Sequence, residues 1–365
     1  MRLPGSPSGQ KSLVMKETAQ RTALATLVVI ALVAATLALW KLKLVIALVF
    51  LGFILAAAMR PGIDALKRRG VPRSVGLVLH YLALAGLIAL FLWIVVPRAV
   101  DQVQNALGGT TKAQIHQAAR SSKGIKHEFL SAVDKRLREL PTAGRLFHPA
   151  LEVTLKAFEI LLGILFVLAT AAYWIFERDR AVDVVSSLLA RPKRKKLRDT
   201  WNLIDLKLGA FVRGEALLMA LVGTVLGLAF WAVGEPYFIL VAAFAGIVEI
   251  VPVLGPIAAG ALAVGVGFTS SWHVALAAGI CVLVVRLLED YLIIPRVLGD
   301  AVGLSPLLVL FSVTAVGILF GGFAVVLAVP LVAVLVTVID VVVRDKDPAD
   351  EDVPTVLFPA KEAEN

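Results

Sequence analysis

The stretch EIVPVLGP, Glu249 to Pro256, decides how the rest of the chain is read. It sets a carboxylate, two prolines and a glycine inside sequence that is otherwise apolar from Pro236 to Phe268. Proline lacks the backbone donor and clashes with the preceding turn, and glycine costs about 1 kcal/mol against alanine inside a helix. A helix is therefore broken here, with Glu249 just before the break.

The surroundings are those of a bilayer protein. Of 365 residues 59% are hydrophobic and 17% charged, and the mean hydropathy is +0.88. A hydrocarbon core asks for roughly 20 apolar residues per helix. The runs Thr22 to Trp40, Leu44 to Met59, Ser74 to Pro97, Ile160 to Phe176 and Ala216 to Gly234 meet or approach that. From Ala301 to Ile339 no residue is charged; as one helix this run would be about 58 Å long. The chain must turn within it, and Gly321 and Gly322 are the residues that accept unusual backbone angles. Offset by 70 residues, Pro236 falls on Pro306 and Pro252 on Gly322, which gives two hairpins of one plan.

The expected architecture is an all-α integral membrane protein of about eight transmembrane segments, with two broken or re-entrant helical hairpins at 236–268 and 304–340. Around them we expect a polar N-terminus (1–21), three spans (22–97), an extramembrane helical segment (98–156), a fourth span (157–176) and a basic segment (177–208). A transport region (209–342) and an acidic, disordered tail (343–365) complete the chain. Within 98–156, Leu130, Val133, Leu137 and Leu140 recur at helical spacing. That face rests on the protein or membrane surface, or joins subunits.

Short basic loops stay in the cytoplasm. Arg60 to Arg73 carries Arg60, Lys67, Arg68, Arg69 and Arg73, and Arg191 to Arg198 is more basic still. A multi-pass protein of the cell (cytoplasmic) membrane with both termini inside satisfies both. The net charge of +9 then reads as topology and contact with anionic membrane lipids rather than nucleic-acid binding. Cys281 alone cannot form an intrachain disulfide.

No HExxH, GxSxG, Walker loop or CxxC occurs, and His80, His116, His127, His148 and His273 lack metal spacing. No enzyme activity, cofactor or metal is expected. Broken helices in transporters present helix ends to a substrate or ion, and ionisable residues at membrane depth pair or line a path. Arg286, Glu289 and Asp290 share a helical face at i, i+3 and i+4. Glu249 and Glu289 are candidates for a solute, sodium or proton path; an interfacial pair of Glu289 with Arg286 is the other reading.

Several stretches resemble the AI-2E family of transporters, also called autoinducer-2 exporter or PerM-like permeases. They are KRRGVPRSVG (67–76), FERDR (176–180), FVRGEALLMALVGTVLG (211–227), VPVLGP (251–256) and the run from Leu287 to Leu331. The resemblance implies a homo-oligomeric transporter, a pentamer among relatives, that exports a small polar solute such as autoinducer-2 or exchanges sodium or lithium for protons. Carried over by position, it points to Arg213, Gly214, Pro252, Gly255, Pro256, Glu289, Pro295, Arg296, Pro306 and Gly321 (with its neighbour Gly322). Glu215 stands where the family usually has glutamine, which adds a carboxylate and favours cation coupling. Val253 and Leu254 replace a tyrosine-containing pair, which removes a hydroxyl. The reading from another class is a membrane scaffold that transports nothing.

Overall fold

The computed structural model describes residues 7–107, 147–294, 304–351 and 353. The Leu130–Leu140 stripe, Pro295 and Arg296 lie outside them. In chain order the described α-helices are α1 (Pro7–Lys41), α2 (Lys43–Arg68), α3 (Arg73–Leu107), α4 (Phe147–Ser187) and α5 (Arg191–Ala232). There follow α6 (Phe238–Val248), α7 (Leu254–Ser270), α8 (Trp272–Leu288), α9 (Pro306–Phe320) and α10 (Ala328–Val342). A π-helical turn, Glu289–Ile293, extends α8, and a 3-10 segment, Gly322–Leu327, leads into α10. No strand occurs among the described residues.

Among the described residues six stretches are long and apolar enough to cross a membrane: 24–41, 43–68, 73–102, 155–187, 191–232 and 322–342. Both breaks divide the apolar sequence that follows α5 into shorter helices. Helices α6, α7 and α9 have 11, 17 and 15 residues, below the roughly 20 that a crossing takes.

The chain divides into two compact units, residues 1–48 and 49–365. In the first, the apolar stretch of α1 from Leu24 to Lys41 has no buried residue. A helix apolar on every side suits lipid.

In the second unit α5 is the central post. Its Val222, Leu226 and Phe230 form one core with Val241 and Ala242 of α6, Ala259 and Ala263 of α7, and Ala278 of α8. Small residues let membrane helices approach closely. At Gly209 the approach is to α2: a Cβ there would lie 2.5 Å from the carbonyl oxygen of Ala57. Gly209→Ala must push two backbones apart and is expected to cost about 1–3 kcal/mol. Thermal unfolding in detergent reads this, with Gly163→Ala, which meets nothing within 4 Å, as the control. Equal melting temperatures for the two variants would refute the close approach.

The basic interval is helical except around Leu188–Ala190, and ion pairs tie it together. Arg178 of α4, which is buried, donates to Asp205 (2.8 Å) and Asn202 (2.5 Å) of α5 and to Asp179 (3.1 Å). Arg60 of α2 reaches the same acids, Asp179 at 3.1 Å and Asp205 at 3.5 Å. Thus Arg178 and Asp179 of the FERDR stretch clamp α2, α4 and α5.

The tail differs from the expectation of disorder. Its described part, through Glu351 and Val353, is docked: Lys207 of α5 holds Glu351, and Val353 is buried against Leu203 and Ala210.

Candidate transport site

The first break lies between Val248, the end of α6, and Leu254, the start of α7. Val253 carries the reversal at φ +69°, ψ −50°, a conformation that β-branched residues avoid. Such strain costs on the order of 1–3 kcal/mol and persists only where the surroundings impose it. Gly255 lets the two helix ends meet, since a Cβ there would lie 2.1 Å from the Val248 carbonyl oxygen. Pro256 sits in the first turn of α7, where its missing N–H would have no helical partner. Half-buried Pro252 lies in the turn itself.

The second break follows Phe320. Gly321 adopts φ +93°, which a side chain resists, and Gly322 opens the 3-10 segment. Pro306 begins α9 behind Ser305, whose hydroxyl accepts from the Leu308 N–H. Val251 of the first break packs on Val313, Val316, Ala324 and Ala328 around the second. The two breaks therefore meet.

Beside this junction, Arg286 gathers the carboxylates. Its Nη1 lies 3.3 Å from Glu249 Oε1 and 3.1 Å from Glu289 Oε2, and its Nη2 lies 2.8 Å from Asp290 Oδ1. Glu249 and Glu289 are only 6% and 2% exposed. Glu289 begins the π-helical turn, a local widening often found at functional sites. Glu215, also buried, lies within electrostatic reach of Glu289, Arg286 and Glu249. Three carboxylates thus contact one guanidinium, with Glu215 as a fourth acid in electrostatic reach. Buried charges are costly unless balanced, so the excess negative charge favours a proton or a cation at this place. Among the described residues no three of His, Cys, Asp and Glu converge as metal ligands do.

Arg213 is elsewhere. Its guanidinium donates to the Ala58 carbonyl of α2 at 3.2 Å, so two positions along α5 separate it from the cluster that Glu215 joins. His80 packs against Gly62 with its Nδ1 2.8 Å from the Gly76 carbonyl oxygen, the role of a packed residue.

Sequence reasoning passed over Glu235, in the turn between α5 and α6. It is 3% exposed, and neither carboxylate oxygen has a hydrogen-bond partner. Burial pushes its pKa up to about 7. A carboxyl group whose folded pKa is raised disfavours folding once it ionises. Stability is therefore expected to fall as pH rises from about 4.5 towards 7, and Glu235→Gln should flatten that slope. Melting temperatures across this range test it, and parallel curves for the two proteins would overturn it. The only signal available in the sequence was a glutamate directly before Pro236 at the edge of an apolar run.

Known proteins place this geometry in a family. A model described as AI-2E family transporter matches residues 27–344. "Putative transport protein YrrI" of Bacillus subtilis (strain 168) is 23% identical over 297 residues, covering 79% of this chain and 82% of its own length. "Putative transport protein YueF" of the same organism is 26% identical over 297 residues, covering 77% and 80%. "Putative transport protein MT0215" of Mycobacterium tuberculosis (strain CDC 1551 / Oshkosh) is 25% identical over 312 residues, covering 83% and 84%. The family match takes in both breaks and the carboxylate cluster, and this multi-pass membrane chain belongs to the AI-2E family of transporters.

Proposed function

We propose that the protein exports a small polar solute, such as autoinducer-2 or a related metabolite, across the cytoplasmic membrane. The two hairpins move against the earlier helices, and Glu215, Glu249 and Glu289 line the path. The observation that carries this reading is the meeting of both breaks beside a buried cluster with more carboxylates than cations. Non-helical backbone at membrane depth is tolerated where it is enclosed by protein or lines a polar cavity, and the buried carboxylates Glu249 and Glu289 put polar groups beside the first break. The termini are cytoplasmic on the charge rule, the hairpins are re-entrant, and the working unit is a homo-oligomer, a pentamer by family resemblance.

The carboxylate excess favours one second reading, sodium- or lithium-for-proton antiport, with Glu289 and Glu249 as the exchanging groups. Flux through purified protein in liposomes, under an imposed sodium or proton gradient, tests both with a panel holding autoinducer-2 and monovalent cations. Glu249→Gln and Glu289→Gln are each expected to lower flux of the transported species by about 10- to 100-fold, the loss of one charged contact made in passage. Undiminished flux in both variants would remove the carboxylates from the path. No flux above empty liposomes for any protein would favour a scaffold.

A further inference from the structure

Lys207 is buried at 6% exposure in the middle of α5. An ammonium group taken out of water costs several kcal/mol unless it is compensated. Its Nζ lies 2.9 Å from Glu351 Oε1 in the tail and 3.4 Å from the Thr337 hydroxyl on α10. That hydroxyl donates to the Ala333 carbonyl, so it offers Lys207 a lone pair and no charge. Glu351 balances the ammonium.

Other contacts hold the same segment along its length. Asp340, near the end of α10, accepts from Arg344 at 2.8 Å and Lys346 at 2.7 Å. Asp345 pairs with Lys196 at the start of α5. Val353 is buried with Leu203 and Ala210, against which Leu206 also packs. The geometry is consistent as a path: Lys196 and Lys207 are eleven residues apart on a helix, about 16 Å, and the six steps from Asp345 to Glu351 reach about 20 Å when extended. The tail runs along α5 and ties it to α10.

We propose that residues 344–351 with Val353 are a clasp that holds α10 on α5, with Lys207 as its catch, and that release of the clasp frees the second hairpin. Only the consequence for flux rests on the transport mechanism proposed above. A buried lysine suits a releasable contact better than an apolar residue would, because its long chain can carry the ammonium to water once Glu351 leaves. The acidic character of the tail then has a use: it matches the basic start of α5.

The test uses full-length protein with Cys281→Ala and Val353→Cys, so that the sole thiol lies under the clasp. A membrane-impermeant maleimide reads tail release, amide hydrogen exchange across Ala328–Val342 reads the hold on α10, and liposome flux reads the consequence. Glu351→Gln removes the anion. Lys207→Met removes the catch without leaving a buried charge. Both are expected to raise labelling and α10 exchange by roughly tenfold or more, the worth of a hydrogen bond to a charged group, and to raise flux. Unchanged labelling would show that the Lys207–Glu351 pair is no catch. Faster labelling with unchanged α10 exchange would make the tail a passive appendage. Faster exchange with equal or lower flux would overturn the release of the hairpin. If no protein moves any solute, the transport reading fails, while labelling and exchange still decide whether the clasp exists.

Discussion

Arg286→Met should abolish transport and lower the melting temperature sharply, a larger effect than neutralising any single carboxylate. Arg286 touches Glu249, 37 positions earlier, and Glu289 and Asp290 on its own helical extension. Removing the cation leaves Glu249 and Glu289 buried with like charges for neighbours. Breaking a buried pair from one side costs about 3–5 kcal/mol, because the remaining ion is uncompensated. The cost has a specific signature. Adding Glu249→Gln and Glu289→Gln to Arg286→Met removes the orphaned charges, so most of the lost stability should return while flux stays absent. Thermal unfolding and liposome flux on the four proteins, wild type, Arg286→Met, the double carboxamide and the triple variant, separate the two roles. If Arg286→Met alone melts with wild type, the guanidinium does not balance these acids. If the triple variant transports, the cluster is architecture.

Gly255→Ala is the second large effect. The added methyl would sit 2.1 Å from the Val248 carbonyl oxygen and 2.7 Å from its carbon. The obstacle is backbone, which cannot rotate aside, so α6 and α7 must separate at the tip. Val253 already holds a strained conformation there. Overpacking of this kind costs about 3 kcal/mol, at the upper end for an added methyl group. The second break supplies graded controls. Gly321→Ala meets no atom but inherits φ +93°, a penalty of about 1–2 kcal/mol, and Gly322→Ala meets neither obstacle. Melting temperatures should therefore rise in the order Gly255, Gly321, Gly322, with the Gly322 variant near wild type. A Gly255→Ala protein as stable as wild type would mean that the two helix ends are further apart than the structure places them.

The breaks were legible in the sequence because they depend on local chemistry. Pro252, Gly255 and Pro256 together disfavour a continuous helix through 249–256, and an uncharged run from Ala301 to Ile339 is too long to cross once. The shared face of Arg286, Glu289 and Asp290 was legible for the same reason, since spacing on one helix sets it. The lengths of the helices on either side of each break were not, because where a helix starts and stops around a turn depends on what packs against it. Glu289 could be read as path residue or as partner of Arg286, and the structure places it in contact with Arg286 while burying it beside Glu249.

By itself, then, the sequence determined that this is a helical membrane protein whose C-terminal half is interrupted twice by residues that stop helices. Turn-forming residues and apolar length act within a few turns of chain, so no distant partner is needed to read them. Only the tertiary structure decided which groups meet. It joined Val251 to the second hairpin, set Glu249 against Arg286, buried Glu235 without a partner and brought Glu351 to Lys207 across 144 positions. Those encounters follow from how helices pack through small residues such as Gly209, Gly246 and Gly267. Packing is a property of whole surfaces, and no short stretch of sequence contains it.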